Sequence, residues 1–349
     1  MTLSKESILT TITSTRVRLA RNIAEYPFPE KLNKRQAEEI IQAVRYELTR
    51  LDEFTQYDMS EMSQADAVLL QERHLISPAL IRNKQFGAAF ISTDTDEKNE
   101  IEKNISVMVN EEDHLREQSI IRGFELGRAY EQIAGIDEQI GSSLHFVYDD
   151  KLGYLTACPS NLGTGMRASV MMFLPALTKY NKIEELLPKL KSGGMTVRGV
   201  FGEGSAAEGF AYQVSNERTL GVSEGEILEQ TGEVAMHLCE LEFRAREKML
   251  KEEGITLKDE CFRAYGTLAN SAILTAKEFT EKMAKIKLGI GLGFFKAREM
   301  WEINRFIEDM RPASFRLKNC KDGASEEEVD AMRATVAHQV LPELAECQY

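Results

Sequence analysis

Six short runs, Phe86–Ser92, Ile105–Val109, Leu144–Tyr148, Gly153–Thr156, Met195–Val200 and Phe210–Val214, are rich in β-branched or aromatic residues and bounded by Asp, Asn or Gly. They are not each followed by a helix-period segment, as a parallel sheet would require. The pattern therefore predicts an antiparallel sheet with flanking helices, an α+β fold. Asp149-Asp150 between two of the runs reads as a hairpin turn. Upstream, Ile40, Ile41, Val44, Leu48 and Leu51 recur at helical spacing, with Asn33 and Gln36 as an N-terminal cap. From Ser223 onward the chain reads as all helix. Ser223 with Glu226, Thr275 with Glu278 and Ser325 with Glu328 each place a capping box at a helix start, and Gly289, Gly291 and Gly293 punctuate the region. Glu252-Glu253-Gly254 is expected to break the first long helix, dividing a catalytic unit over residues 1–255 from a helical unit over 256–349.

The length of 349 residues accommodates two such units. Five cysteines without a CxxC pair or zinc-like spacing speak against a disulfide framework and structural zinc, so Cys239, Cys261, Cys320 and Cys347 are read as reduced thiols. With no long apolar run and no secretory signal pattern at the amino terminus, a cytoplasmic protein is expected. A net charge of −13 disfavours a continuous nucleic-acid surface, which needs an extended basic face.

Against that acidic background, five arginines stand out. Arg16 and Arg18 lie in STRVR, Arg116 in NEEDHLR, Arg167 in CPSNLGTGMRASV and Arg198 in RGVFGEG. A guanidinium fork matches phosphate oxygens bidentately, so these segments point to a clamp for a compact polyanion, a nucleoside triphosphate above all. Neither GxxxxGK[ST] nor an HRD and DFG pair is present, leaving arginine side chains to grip the nucleotide. Glu111 and Glu112 follow a strand-like run and are read as acids facing an acceptor, with Glu112 the preferred base. An acceptor with a guanidinium pKa needs a carboxylate to bind it and take its proton. The alternative for this acidic run is a solvated turn. Glu203 sits in a Gly-Glu-Gly turn five residues after Arg198 and supplies a second acid. Cys158, before Pro159, is read as a thiolate orienting the acceptor, against core packing as the alternative. His74 carries no local signal that separates a functional role from a structural one.

In this order, STRVR, NEEDHLR, CPSNLGT…RASV and RGxxGE resemble the ATP:guanido phosphotransferases, the phosphagen kinase superfamily. The resemblance implies that Ser14, Thr15, Arg16, Val17, Arg18, His74, Arg116, Arg167, Ala168, Ser169, Val170, Met171, Arg198, Gly199, Val200, Phe201 and Gly202 contact ATP. It also implies that Glu111, Glu112, Glu203 and Cys158 surround the guanidinium, and that Mg2+ is held mainly by phosphates and water, without protein metal ligands.

Departures from the small-molecule kinases bear on the substrate. There an amino-terminal helical domain precedes the match and supplies a lid over the free amino acid; here STRVR begins at Ser14, and Gly204 stands where His usually follows GE. Ala264–Phe295 resembles the tail of the bacterial McsB family, so the likeness extends over essentially the whole chain. That family implies a protein-arginine kinase, a homodimer through the tail, a zinc-binding activator protein, and a Clp-type protease that receives tagged proteins or a stress repressor that is altered. Its Arg-Asp-x-x-Arg-Ala motif, linked to allosteric phosphoarginine binding, is matched by Val329, Asp330, Arg333 and Ala334, with the leading arginine replaced. An amphipathic helix packing on its neighbour is the other reading of that stretch. A kinase of free arginine or another small guanidine, and a non-catalytic adaptor on the same fold, are the competing functions.

Overall fold

The structure is a computed structural model that describes residues 5–51, 54–93, 103–199 and 208–348. Among the described residues, ten strands precede the helical tail. Eight of them, β1 (Ile12–Arg21), β2 (Thr55–Asp58), β3 (Ala88–Thr93), β4 (Lys103–Val109), β5 (Leu115–Arg122), β8 (Met166–Phe173), β9 (Met195–Gly199) and β10 (Ala211–Asn216), form one sheet in the order β2-β3-β4-β5-β1-β8-β10-β9. Every pairing in it is antiparallel, as the lack of crossover helices predicts. The remaining two, β6 (Tyr148–Asp149) and β7 (Gly153–Tyr154), make a small ribbon whose turn is held by the Asp149 carboxylate accepting from the Lys151 and Leu152 amides. The expected strand at Leu144–Tyr148 is reduced to Tyr148 in this ribbon and a bridge between Ile23 and Phe146.

Strand residues alternate between faces. On the back of the sheet Val17, Leu19, Ile121, Met166, Ala168, Val170, Val197 and Val214 are buried against the helix Leu126–Gly141 and the first half of the helix Glu224–Asn270. That continuous apolar layer fixes the register, because a one-residue slip would turn it toward solvent. Three of the predicted caps form as full capping boxes, at Asn33 and Gln36, Ser223 and Glu226, and Ser325 and Glu328, while Thr275 caps through its side chain on the Glu278 amide.

The helix Glu224–Asn270 runs 47 residues through the expected break. Glu253 alone leaves helical geometry, at φ −135°, so Glu252-Glu253-Gly254 bends the helix without ending it. Beyond the bend a second core gathers Leu257, Cys261, Phe279, Ile303, Phe315 and Leu341 around Phe173 and Ala176 of the sheet unit. Gly289 lies within the helix Ala276–Gly291 where a Cβ would meet the Phe295 ring at 2.6 Å, so close packing, not a break, requires glycine there. The tail helices Met300–Asp309 and Pro312–Asn319 reach back to the sheet unit. There the Glu72 carboxylate accepts from the Ala313 and Ser314 amides at 2.8 Å and Arg311 donates to the Glu72 carbonyl at 2.8 Å.

Candidate active site

The front of the sheet is built from the residues that alternate with the buried layer. Arg18 of β1 faces Gln118 of β5 and Arg167 of β8; two residues along, Arg16 faces Ile120 and Ser169; two further, Ser14 faces Arg122 and Met171. Arg116 pairs with Ala20 and therefore continues the Arg18 end of the same face, while Arg198 of β9, opposite Gln213, extends it sideways. Register alone thus gathers all five sequence-predicted arginines on one surface.

The same alternation narrows the expectation for the intervening residues. Thr15, Val17, Ala168 and Val170 are fully buried on the back of the sheet, so their side chains point away from this surface. Gly199 pairs with Tyr212 on the row that also faces back. Ser14, Ser169 and Met171 share the arginine face. Val200, Phe201, Gly202 and Glu203 lie outside the described residues.

The arginines crowd one another. Burial and then the charges of Arg116 and Arg167 push the Arg16 guanidinium down to about 10. Burial followed by the charges of Arg16, Arg116 and Arg167 pushes Arg18 well down, with Glu111 opposing. Arg167 is likewise lowered by burial and then by Arg198. Arg16 donates to Gln213 Oε1 at 3.0 Å and Arg167 to Ser215 Oγ at 2.9 Å, neutral partners that hold the forks in place without cancelling their charge. Among the described residues Arg18 makes no hydrogen bond or ion pair. Such a concentration of positive charge is a site for a polyanion.

The acids stand at one end of this face. β4 and β5 are joined by the tight turn Asn110–His114, closed by the Asn110 amide donating to the His114 carbonyl at 2.9 Å, with Asn110 at φ 58°. Glu111 is buried and takes both oxygens to Arg116, at 2.7 and 3.0 Å, and one also to the Ser77 hydroxyl. Burial pushes its carboxyl up, but Arg116, Ser77 and the Glu112 amide outweigh that and hold it below the ordinary carboxylate range. Glu111 therefore aims Arg116 and is not itself open to an acceptor.

Glu112 is exposed and behaves in the opposite way. Burial of its surroundings, then the neighbouring Asp113 and Glu111, push its carboxyl up, against Arg116 and a hydrogen bond from Cys158. The structure thus brings Glu112 and Cys158 together, and the thiol's partner is a carboxylate, with Ser160 Oγ at 3.0 Å on its other side. Asp113, which the sequence reading passed over, makes this meeting possible. Its buried carboxylate accepts from Asn22 and from the Ala157 amide, both at 2.6 Å, tying the turn to the Cys158 loop. Its place as the third acid of one strand-end turn was the available signal.

His74 adopts φ 61°, and its carbonyl accepts from Gln118 of the arginine face at 2.6 Å. Burial, then Arg311 and Arg16, push its imidazole down to about 3, so it is neutral beside the cations. Asp330 and Arg333 do not reach this surface: they are paired with each other, and Arg333 is buried over the Phe315 ring and donates to the Leu274 carbonyl at 2.9 Å.

Comparison with known proteins adds identity to this geometry. Residues 36–245 match the family ATP:guanido phosphotransferase, C-terminal catalytic domain, and residues 254–348 match the Protein-arginine kinase McsB C-terminal domain. The chain is 39% identical over 308 residues to a protein-arginine kinase of Caldanaerobacter subterraneus subsp. tengcongensis, covering 87% of this chain and 89% of that one. It is 40% identical over 289 residues to a protein-arginine kinase of Halalkalibacterium halodurans, covering 82% and 79%. Among solved structures it is similar to the duplicated taurocyamine kinase of Schistosoma mansoni with bound transition state analog components. That likeness has a TM-score of 0.58 at 28% identity and covers 78% of this chain and 36% of that one. A lombricine kinase structure is similar at a TM-score of 0.55 and 26% identity, covering 70% of this chain and 68% of that one.

Proposed function

The chain belongs to the ATP:guanido phosphotransferase family, and from that premise we propose that it transfers the γ-phosphoryl group of ATP to the guanidinium of arginine side chains in proteins. The observation that carries the reading is the convergence of Arg16, Arg18, Arg116 and Arg167 on one face with Glu112 and Cys158 at its end. The choice of a protein acceptor is supported by the match to the McsB tail domain and by relatives named as protein-arginine kinases.

The four guanidiniums hold the triphosphate and neutralise charge on its oxygens, with Arg198 at the margin and Glu111 fixing the direction of Arg116. Ser14, Ser169, Met171 and His74 line the rest of the nucleotide's path. Glu112 receives the acceptor guanidinium and takes a proton from its nitrogen as the N–P bond forms and the bond from phosphorus to ADP breaks. A carboxyl pushed above its ordinary range is a stronger base once ionised, which suits it to an acceptor that releases its proton reluctantly. Cys158 steadies Glu112, and Glu203 supplies the second acid. Positioning and charge account for most of the rate, as a loose transition state requires.

A surface of clustered guanidiniums repels a protein-held dication, so the donor set fits Mg2+ arriving on the phosphates with its water. Bound there, the ion would add to the neutralisation of phosphate charge that Arg16, Arg18, Arg116 and Arg167 supply. The catalytic unit ends near residue 255 in this reading, and the tail over 256–349 serves self-association. Exposed Ile273, Leu317 and Met332 support a homodimer through it. Among the described residues no helix is long and apolar enough to cross a membrane. We place the reaction in the cytoplasm, with a zinc-binding activator and a Clp-type protease or a stress repressor downstream on the strength of the family resemblance.

The test is to incubate the chain with labelled Mg·ATP and an unstructured arginine-containing protein, with free arginine in a parallel reaction. Acid-labile label on arginine residues of the protein is expected. Label confined to the free amino acid would instead make this a small-guanidine kinase.

A further inference from the structure

A cavity of about 660 Å³ opens at the Ser14 end of the arginine face, opposite the end that carries Glu112. Its near wall is the front of the sheet, including Ser14, Ile120, Arg122 and Met171, with His74 at the side. Its far wall is made by the helical tail, chiefly Ala284, Lys287, Trp301 and Asn304. The volume falls within the range of about 300 to 1,000 Å³ typical of small-ligand pockets.

Direction along β1 decides what enters it. Arg116, Arg18 and Arg16 succeed one another from the Glu112 end, and Ser14 follows; the six steps from Ala20 to Ser14 span roughly 20 Å at about 3.3 Å per residue. The terminal phosphate belongs beside Glu112, where transfer occurs. The inner phosphates then lie on Arg18 and Arg16, and the uncharged end of the nucleotide falls at the row of Ser14 and Met171, at the cavity mouth.

Inside, polar and charged groups stand beside apolar ones. Lys287, 4% exposed, sits on the tail helix Ala276–Gly291 and donates to Asn304 Oδ1 at 2.8 Å and to Thr13 Oγ1 at 3.3 Å. An ammonium carries three donors, and these contacts engage two. Its nitrogen also lies 4.8 Å from the centre of the Phe173 ring. Burial pushes its amine down to about 7, the mark of a cation with too little solvation in its present surroundings. Trp301 forms a flat apolar surface nearby, with the Arg122 guanidinium 5.5 Å from its ring. A donor, an amide and an aromatic plane in one pocket match a purine, which offers ring-nitrogen acceptors and a face for stacking.

We propose that the helical tail completes the nucleotide site, with Lys287 and Asn304 reading the base and Trp301 covering it. The inference rests on the ATP-binding reading above. Tail and catalytic unit then share one substrate, and nucleotide affinity depends on residues outside the catalytic sheet.

Trp301 is the one tryptophan of the chain, so its emission reports directly on this pocket in the unmodified protein. Full-length protein is titrated with ATP and, separately, with inorganic tripolyphosphate, following fluorescence and heat in parallel. ATP is expected to shift Trp301 emission while tripolyphosphate binds without doing so. Lys287→Met and Asn304→Ala are expected to raise the KM for ATP roughly tenfold, the loss of a charge-assisted or buried hydrogen bond, with kcat within about twofold and tripolyphosphate affinity retained. ATP that binds calorimetrically while Trp301 stays silent, or variants with unchanged KM, would overturn the inference and leave the arginine site standing. No heat with either ligand would overturn the reading of the arginine face and this inference with it.

Discussion

On the back of the sheet Arg21, also from β1, meets Asp137 at 2.9 Å, stacks 3.6 Å from the Tyr154 ring centre and donates to the carbonyls of Ala20 and Thr164. On the front, Arg16, Arg18, Arg116 and Arg167 look at one another, and Glu111 is the acid that touches them, through Arg116. The long helix Glu224–Asn270 follows the pattern of the back: Arg246 pairs with Glu242 at 2.7 Å and also reaches Thr10 and the Phe173 carbonyl. One residue type serves two purposes, and its partners tell them apart. Arginines satisfied within the chain hold the fold together, whereas arginines held at mutual repulsion are kept for something that arrives from outside.

The largest expected effect breaks the front face at its acid end. Glu112→Gln should lower kcat by about 10²- to 10⁴-fold, the range for a lost general base, with ATP affinity within a few fold. Near-normal turnover of this variant would remove Glu112 as the base. In the unaltered enzyme activity requires ionised Glu112, so it should fall as pH drops through a value above the ordinary carboxylate range, a limb visible in the pH dependence of kcat/KM.

Next comes a direct contrast of the two faces. Arg18→Ala should weaken ATP by about 10- to 150-fold, the equivalent of about 1.5–3 kcal/mol for hydrogen bonds to a charged group. Yet without nucleotide its thermal midpoint should hold or rise, because repulsion is relieved. Arg246→Ala should do the reverse, losing about 3–5 kcal/mol of stability by stranding buried Glu242, with nucleotide affinity in the folded fraction little changed. Calorimetry and thermal melts on the two variants decide it; equal loss of stability in both would erase the distinction.

Smaller effects sharpen it. Cys158→Ala should reduce kcat several-fold and move the acid limb to higher pH, since the thiol's hydrogen bond holds the Glu112 carboxyl down. Lys287 is pushed down to about 7 in the folded chain against 10.5 ordinarily, with Arg246 reinforcing burial and Glu308 opposing it. The folded state therefore binds fewer protons between those values, and stability should rise with pH across that window. Lys287→Met should flatten the rise in thermal melts across this range.

Sequence made the acids and the caps easier to read than the strands that matter most. β3 and β4 show as apolar or β-branched runs because both their faces are largely covered. β1, β5 and β8 read as motif segments, not strands, since one side of each is polar to suit a ligand, while Val17, Leu19, Ile121, Met166, Ala168 and Val170 mark the other. Their period of two was nonetheless present. It separates Arg16 and Arg18 from Arg21, which falls out of phase and faces the helices, and it separates Ser14 from Thr15. The cavity beneath the tail had no local signature at all, because Thr13, Met171, Lys287 and Trp301 meet only once the long bent helix has carried the tail back onto the sheet.

A crystal structure with Mg2+ and a non-hydrolysable ATP analogue tests the central claim most directly. The account predicts phosphate oxygens within hydrogen-bond distance of Arg16, Arg18, Arg116 and Arg167, with the terminal phosphate nearest Glu112. Phosphates seated elsewhere, with those four side chains still facing only one another, would contradict it.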